Sequence, residues 1–165
     1  MLAAGVGVAA TGTAGYFGLR HALPSPARGE LLAVNVRDLV PGRLRTVEWE
    51  GRPVWILRRS AREIAMLHEN QSPLVDPTSR GSVQPDGCRN PLRSLRPDIF
   101  VAIGLCTHQA CTPALRAGEG FLCPCHASKF DLAGRVHRAG PATINLPIPA
   151  YRFEGPDRLV LGVDD

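Results

Sequence analysis

The chain lacks any charged residue over its first nineteen positions. It also lacks a dense basic block interleaved with aromatic residues, because the arginines behind its formal charge of +4 are scattered along the sequence. Such scatter is typical of a solvated surface, so we expect no nucleic-acid partner. No internal repeat is apparent, and the length of 165 residues suits one globular domain with an appendage rather than two full domains.

The uncharged run, residues 1–19, has the length of a membrane span. As a helix it would measure about 28 Å, close to the hydrocarbon thickness of a bilayer. A cleaved signal peptide would carry a positively charged segment ahead of the apolar run, and this sequence has none there. A frayed terminus is the other alternative. We predict a transmembrane anchor at residues 1–20 and a flexible linker, rich in Pro and Ala, at residues 21–30.

Beyond Leu31 the sequence favours a loop-rich, mostly β domain, in keeping with its 17 glycines and 15 prolines. Residues 45–49 and 53–57 predict a hairpin, and we expect its two tryptophans, Trp49 and Trp55, to be packing residues. Ser60 and Glu63 form a capping-box pattern, which predicts a short helix ending at about His68. The apolar run 99–105 predicts a buried strand, and residues 71–97 a loop.

Four of the five cysteines and two of the five histidines fall in two short stretches, residues 106–111 and 123–126. The first contains the pair Cys106 and His108, and the second contains Cys123 and His126. Both stretches follow segments that resemble strands, and a rigid turn can hold two ligands close together. One such pair would be weak support for a metal site, whereas two are strong support.

Each stretch also carries one cysteine more than a mononuclear site needs, namely Cys111 and Cys125. A structural Cys₂His₂ zinc site is the plainest interpretation, but it leaves these two cysteines idle. A disulfide between them would tie the two loops face to face, and that arrangement suggests a redox cluster. Cys88 remains as a free thiol, an intermolecular bridge or a small buried side chain, and we predict that it has no role in the site.

The motif Cys-Thr-His-x-x-Cys followed by Cys-Pro-Cys-His-x-Ser resembles the Rieske iron–sulfur protein of quinol–cytochrome c reductases, the cytochrome bc complexes. Residues 140–142 match the family's proline-containing loop over the cluster, and residues 145–149 resemble the segment that follows it. The resemblance implies a mostly β fold: an antiparallel β-sandwich head at residues 31–165, with a small cluster-binding subdomain at about 104–145, preceded by one transmembrane helix.

The resemblance also implies the site. In Rieske centres two histidines replace two cysteines on one iron of a [2Fe–2S] cluster. The ligands carried over are Cys106 and Cys123 on one iron, and His108 and His126 on the other, with one cluster per chain. Ser128 matches a serine whose hydroxyl donates to a bridging sulfide. Cys111 and Cys125 match the family's loop-locking disulfide, which fits an oxidising compartment.

Several residues near the motifs depart from the family pattern. Phe130 occupies the position of a tyrosine that hydrogen-bonds a ligand sulfur in many members, so we expect a reduction potential below the upper part of the family's range. Ala110 and Ala127 stand where glycine is usual. Gln109 replaces a leucine at the exposed docking tip, and Thr143 stands where another proline is common.

The implied function is electron transfer in a membrane oxidoreductase, quinol–cytochrome c reductase, of which the chain would be the iron–sulfur subunit. His126 would accept a hydrogen bond from quinol and take its proton, His108 would share the coupled titration, and the electron would pass to a c-type cytochrome. The implied partners are quinol, the cytochrome b and c-type cytochrome subunits, and the lipid bilayer through residues 1–19. The implied location is a bacterial-type inner membrane, crossed once, with the head on the periplasmic side.

Three alternatives remain at this point. A soluble Rieske ferredoxin or oxygenase domain usually lacks the extra cysteine pair and the anchor. The small Rieske subunit of a periplasmic oxidoreductase of the arsenite oxidase type shares the fold and the export. A structural zinc module would have no redox role.

Overall fold

A computed structural model of the protein describes residues 29–69 and 73–163. The predicted anchor and most of the predicted linker lie outside these residues. Within the described ranges no helix has the length and apolar character needed to cross a membrane.

The described chain is mostly β with one α-helix, as predicted. The helix α1 spans Ala61–Glu69. The strands are β1 Leu32–Asn35, β2 Leu44–Trp49, β3 Arg52–Arg58, β4 Ile99–Ile103, β5 Ala114–Arg116, β6 Gly120–Leu122, β7 Lys129–Phe130, β8 Tyr151–Phe153 and β9 Arg158–Leu161. A 3₁₀ turn covers Asp86–Cys88.

The strands form three antiparallel three-stranded sheets, with the orders β1-β9-β8, β2-β3-β4 and β5-β6-β7. The predicted hairpin is β2–β3, and its turn residues Glu50 and Gly51 both have positive φ, 50° and 69°. Two consecutive positive φ values are typical of a two-residue type I′ turn, whose twist matches that of the flanking strands. The capping box is also confirmed, because Glu63 accepts the backbone N–H of Ser60 at 2.7 Å and Ser60 Oγ accepts that of Glu63 at 3.3 Å.

The core joins the middle sheet to the third one. Trp55 on β3 stacks on Phe121 of β6, with ring centroids 4.7 Å apart and planes inclined by 18°. Trp49 is also buried, so both tryptophans are packing residues, as predicted. This contact fixes the third sheet, and the loops that precede and follow its strand β6, against the larger part of the molecule.

Strand β4 is buried at every position, as its continuous apolar run predicts, but it ends at Ile103 rather than Leu105. Its end is held on both sides, since Ile103 donates to the carbonyl of Pro147 at 2.8 Å and Gly104 to that of Pro53 at 2.7 Å. A Cβ on Gly104 would stand 2.4 Å from the Trp55 ring. Only glycine allows this close approach, which delivers the chain to Cys106.

Candidate metal centre

Two six-residue loops, 106–111 and 123–128, carry the predicted ligands, and their backbones are closed in the same way. In the first loop Cys106 N–H donates to Cys111 O at 2.8 Å, and Ala110 N–H donates to Cys106 O at 2.8 Å. In the second loop the N–H of Cys123 donates to Ser128 O at 2.9 Å, and the N–H of Ala127 donates to Cys123 O at 3.0 Å. Both loops are therefore α-turns that return the chain to its starting point.

The fifth residue of each loop is an alanine in the left-handed region: Ala110 has φ 57° and Ala127 has φ 58°. This conformation reverses the chain and lets the first and sixth residues pair. The left-handed conformation costs free energy for a residue with a Cβ but not for glycine. The family's preference for glycine at both positions therefore has a physical reason.

The disulfide predicted by resemblance joins the two loops, linking Cys111 to Cys125 across a Cα–Cα distance of 6.6 Å. The Sγ of Cys123 lies within 4.8 Å of both disulfide sulfurs. These three sulfurs form a compact group, but the two in the disulfide are not thiolates. We therefore take the grouping as a sign of how tightly the loops meet, and not as a metal-binding set.

The predicted thiol ligands are inside and the predicted imidazole ligands are outside. Cys106 and Cys123 are 4% and 2% exposed, whereas His108 and His126 are both exposed. The two imidazole rings meet edge to face, with centroids 4.8 Å apart and an interplanar angle of 87°. The structure thus brings the two histidines together at one surface, with the two cysteines buried.

The surroundings of Cys106 suit a metal-bound sulfur. Burial raises the pKa of its thiol, and the neighbouring Cys123 raises it further, while the His108 backbone and the Ser128 hydroxyl lower it. The thiolate needed for ligation is thus disfavoured by burial and by the second sulfur, and a bound cation would compensate for both. The donor set of two buried sulfurs and two exposed ring nitrogens fits a Rieske cluster.

Ser128 and Phe130 both lie inside the domain. The side chain of Ser128 is fully buried, and its Oγ accepts the backbone N–H of Ala142 at 3.1 Å. Phe130, 1% exposed, is paired with Phe121 across β6 and β7. Neither side chain carries a charge, and Ser128 contributes a buried hydroxyl to the inner side of the site.

The remaining predicted positions are placed as follows. Cys88 is buried beside Tyr151, with its sulfur 3.7 Å from the tyrosine hydroxyl, so it is the small buried side chain among the three alternatives. His68 is exposed at the end of α1. Gln109 is exposed next to His108, and Thr143 is exposed in the segment that follows Ala142.

Sequence analysis missed three residues that bear on the site: Thr107, Arg93 and Asn145. Thr107 lies between two predicted ligands, and its hydroxyl donates to the carbonyl of Ile144 at 2.7 Å. The side chains of Arg93 and Asn145 are buried and hydrogen-bonded. Asn145 stands in a segment that resembles the family, but nothing local marks Arg93, since its partners are 40, 41 and 53 residues away along the chain.

Paired loops that carry two buried thiols and two exposed imidazoles, joined by a disulfide on a small β scaffold, define a metal-binding domain of the iron–sulfur class. A sequence profile of the Rieske [2Fe-2S] domain matches residues 30–151. The chain is 41% identical to the ubiquinol-cytochrome c reductase iron-sulfur subunit of Allochromatium vinosum, over 95% of this chain and 86% of that one.

Two further relatives are more distant. The chain is 38% identical to the mitochondrial cytochrome b-c1 complex subunit Rieske-1 of Arabidopsis thaliana, over 79% of this chain and 45% of that one. A solved structure, hyperthermophilic respiratory Complex III, has a TM-score of 0.49 and 23% identity, over 76% of this chain and 71% of that chain, a likeness too distant to support an argument about function.

The chain belongs to the Rieske [2Fe–2S] family, among the iron–sulfur subunits of ubiquinol–cytochrome c reductases. Its cofactor is accordingly a Rieske-type [2Fe–2S] cluster, and the zinc alternative is excluded.

Proposed function

We propose that Cys106 and Cys123 bind one iron of the cluster and His108 and His126 the other. The buried pair of thiols and the exposed pair of imidazoles, 4.8 Å apart between ring centroids, support this division. When bound, the cluster supplies a one-electron redox centre, with a potential within about −150 to +300 mV for the class. Ser128 donates a hydrogen bond on the sulfur side and thereby favours the reduced, more negative state.

We further propose that the chain is the electron-transfer subunit that oxidises quinol at a membrane site and passes the electron to a c-type cytochrome, with coupled release of protons. The observation that carries this proposal is the exposure of both imidazoles at one surface, on a chain 41% identical to a ubiquinol-cytochrome c reductase subunit. His126 accepts a hydrogen bond from the quinol hydroxyl and takes its proton at the ring nitrogen that does not bind iron. His108, whose ring meets that of His126, shares the coupled titration.

The remaining parts of the proposal concern the membrane and the other subunits. Residues 1–20 anchor the chain in a bacterial-type inner membrane, and residues 21–30 let a periplasmic head move between a quinol site beside cytochrome b and a c-type cytochrome. The absence of charge from residues 1–19 and the Pro- and Ala-rich composition that follows support this assignment.

A pH-dependent redox titration of the full-length protein, followed by electron paramagnetic resonance, tests the ligand set. We expect a reduced [2Fe–2S] signal shifted to low field, and a potential that falls at alkaline pH by about 59 mV per pH unit for each proton coupled to the electron. Cys106→Ser and His108→Gln should each abolish the signal, whereas Cys88→Ala should retain it. A Rieske signal that survives either ligand substitution contradicts the assignment.

Quinol oxidation requires a separate assay, with membranes that contain the other subunits. Electron transfer from a quinol to cytochrome c is compared between membranes with the wild-type chain, with Ser128→Ala and without the chain. Ser128→Ala should load its cluster, lower the potential by about 50–100 mV through loss of one hydrogen bond, and slow the reaction. If membranes with a loaded cluster oxidise quinol no faster than membranes without the chain, the proposed reaction is wrong.

A further inference from the structure

Residues 140–146, here called the cover segment, touch both ligand loops. The N–H of Ala142 donates to Ser128 Oγ at 3.1 Å, beside the second loop's closing contact. The hydroxyl of Thr107, in the first loop, donates to Ile144 O at 2.7 Å. A Cβ on Gly140 would stand 2.7 Å from the Cα of Ser128, so the two backbones are in close contact there. The position of the cover segment therefore determines how the Ser128 hydroxyl is held.

The far end of the cover segment is fixed by Asn145, which is fully buried and fully hydrogen-bonded. Its Oδ1 accepts the N–H of Val136 at 2.9 Å, and its Nδ2 donates to Asp76 O and to Ser79 Oγ, each at 2.9 Å. Its backbone N–H donates to Ser82 Oγ at 3.2 Å. One side chain thus ties the cover segment to two other parts of the chain, and no polar atom of it is left without a partner.

Arg93, with 0% of its surface exposed, holds the same segment from the other side. Its guanidinium donates to three backbone carbonyls, those of Ala133 at 3.1 Å, Gly134 at 3.3 Å and Leu146 at 2.9 Å. It also makes two bonds to Gln84 Oε1, at 3.1 and 3.0 Å. The Nε2 of Gln84 donates in turn to Ser79 O at 2.7 Å, so the hydrogen bonds form a closed ring that returns to Asn145.

Two features of this ring of hydrogen bonds cost folding free energy: a buried charge and a strained backbone conformation. Burial lowers the pKa of Arg93 to about 10, which leaves the group charged at neutral pH, and none of the carboxylates in residues 29–69 and 73–163 hydrogen-bonds it. Ser79, which is not a glycine, has φ 53°. A well-packed apolar side chain at this position would often stabilise the fold as well as a buried charge does. The planar guanidinium contributes something that an apolar side chain cannot, because its fixed donors determine the spacing of the carbonyls that accept from it. Strained backbone conformations such as that of Ser79 cluster at functional sites.

We propose that Arg93 and Asn145 are positioning residues that set the reduction potential of the cluster, by fixing the cover segment and, through Ala142, the direction of the Ser128 hydroxyl. Because Ser128 Oγ accepts the Ala142 N–H, its own proton is directed away from Ala142 and, as the resemblance implies, toward a bridging sulfide of the bound cluster. A donor at that sulfide favours the reduced cluster, so a displaced cover segment lowers the potential. The inference rests on the proposed ligand set but not on quinol as the substrate.

The test compares three variants by redox titration of the full-length, cluster-loaded protein at neutral pH. Arg93→Lys keeps the charge and loses the planar fork of donors. Asn145→Leu keeps the approximate size, adds no charge and loses the side-chain hydrogen bonds to Val136, Asp76 and Ser79. Arg58→Lys is the control, because the partly buried guanidinium of Arg58 donates to Val36 O and to Asp98 Oδ2, neither of which flanks Arg93 or belongs to the cover segment.

We expect Arg93→Lys and Asn145→Leu to shift the reduction equilibrium at least tenfold toward the oxidised state, a fall of about 59 mV for one electron. Arg58→Lys should lose stability and keep the wild-type potential. The proposal is overturned if the first two variants unfold more easily at an unchanged potential, or if Arg58→Lys lowers the potential as much as Arg93→Lys does.

A milder variant covers the case in which Arg93→Lys and Asn145→Leu fail to load the cluster. Ser82→Ala removes only the acceptor of the Asn145 backbone N–H and one hydroxyl bond to Asp76. A smaller fall in potential supports the proposal, and an unchanged potential overturns it. The titration contains neither quinol nor cytochrome, so its result is independent of the proposed reaction, and a wild-type protein without a Rieske signal would contradict the ligand set instead.

Discussion

At the scale of single residues, the two left-handed alanines are the clearest local conflict between sequence and structure. Ala127 has φ 58°, a conformation that costs an L-residue about 1–2 kcal/mol, whereas replacement by glycine loosens the unfolded chain by about 0.4–1 kcal/mol. Ala127→Gly should therefore stabilise the protein by about 0.5–1 kcal/mol, measured as the midpoint of chemical denaturation. Ala117→Gly, in the β5–β6 turn, is the control and should destabilise it by a similar amount, because Ala117 is not among the described residues with positive φ. A stabilising effect at both positions would contradict this explanation.

Phe130 gives a prediction about the potential at the same scale. It is buried in β7 and carries no hydroxyl, whereas many members of the family that the chain resembles have a tyrosine at this position. Phe130→Tyr should raise the reduction potential, because a phenol that reaches a ligand sulfur favours the reduced state. Redox titration measures the shift, with Phe153→Tyr on β8 as a control that should leave the potential unchanged. A lower or unchanged potential in Phe130→Tyr would contradict this prediction.

At the scale of elements, the disulfide turns two separate loops into one unit. It joins Cys111 to Cys125 across a sequence separation of 14, and closing a loop of about this length is worth about 3 kcal/mol in the chain-entropy model. The double substitution Cys111→Ser, Cys125→Ser should lower the free energy of unfolding by about 2–4 kcal/mol and speed loss of the cluster, followed by its visible absorbance in urea. Cys88→Ala should lose its cluster at the same rate as the wild type. If the double variant loses its cluster no faster than Cys88→Ala, the disulfide does not hold the loops together.

The elements also show how far the sequence alone can be taken. The β2–β3 hairpin, the capping box of α1 and the buried strand β4 could be predicted because each depends on neighbours in sequence. The two ligand loops and their disulfide could be predicted because their motifs resemble a family. The loop containing Arg93 could not be understood in the same way, since its function in the fold depends on carbonyls at positions 133, 134 and 146. Long-range polar contacts leave no periodic pattern in the sequence.

At the scale of the whole molecule, His137 links stability to pH. Burial lowers its pKa below the ordinary 6.5, Lys129 and Arg135 lower it too, and Asp131 opposes them. The unfolded chain therefore takes up this proton first as the pH falls, so the group does not affect stability well above pH 6.5 and destabilises the fold as the pH drops through 6.5 toward the lower folded value. In urea denaturation between about pH 8 and pH 5, His137→Gln should show a shallower loss of stability than the wild type. An equal slope in the wild type and in His137→Gln would contradict the linkage.

Membrane attachment is the remaining property of the whole molecule. Residues 1–19 contain no charge, whereas the described head carries ion pairs over much of its surface, so the two parts suit different solvents. A cation at the centre of a spanning helix costs about 2.5–3.5 kcal/mol, so Val8→Arg should release a large share of the chain from membranes washed with alkaline carbonate. Val40→Arg introduces the same change on the head, where Val40 is 55% exposed, and should leave the protein membrane-bound.

The anchor assignment predicts that deletion of residues 1–20 gives a soluble head that keeps its Rieske signal, because the two ligand loops and their disulfide lie wholly within the described domain. Retention of the deleted chain in the washed membranes would show that another part of the protein makes the attachment.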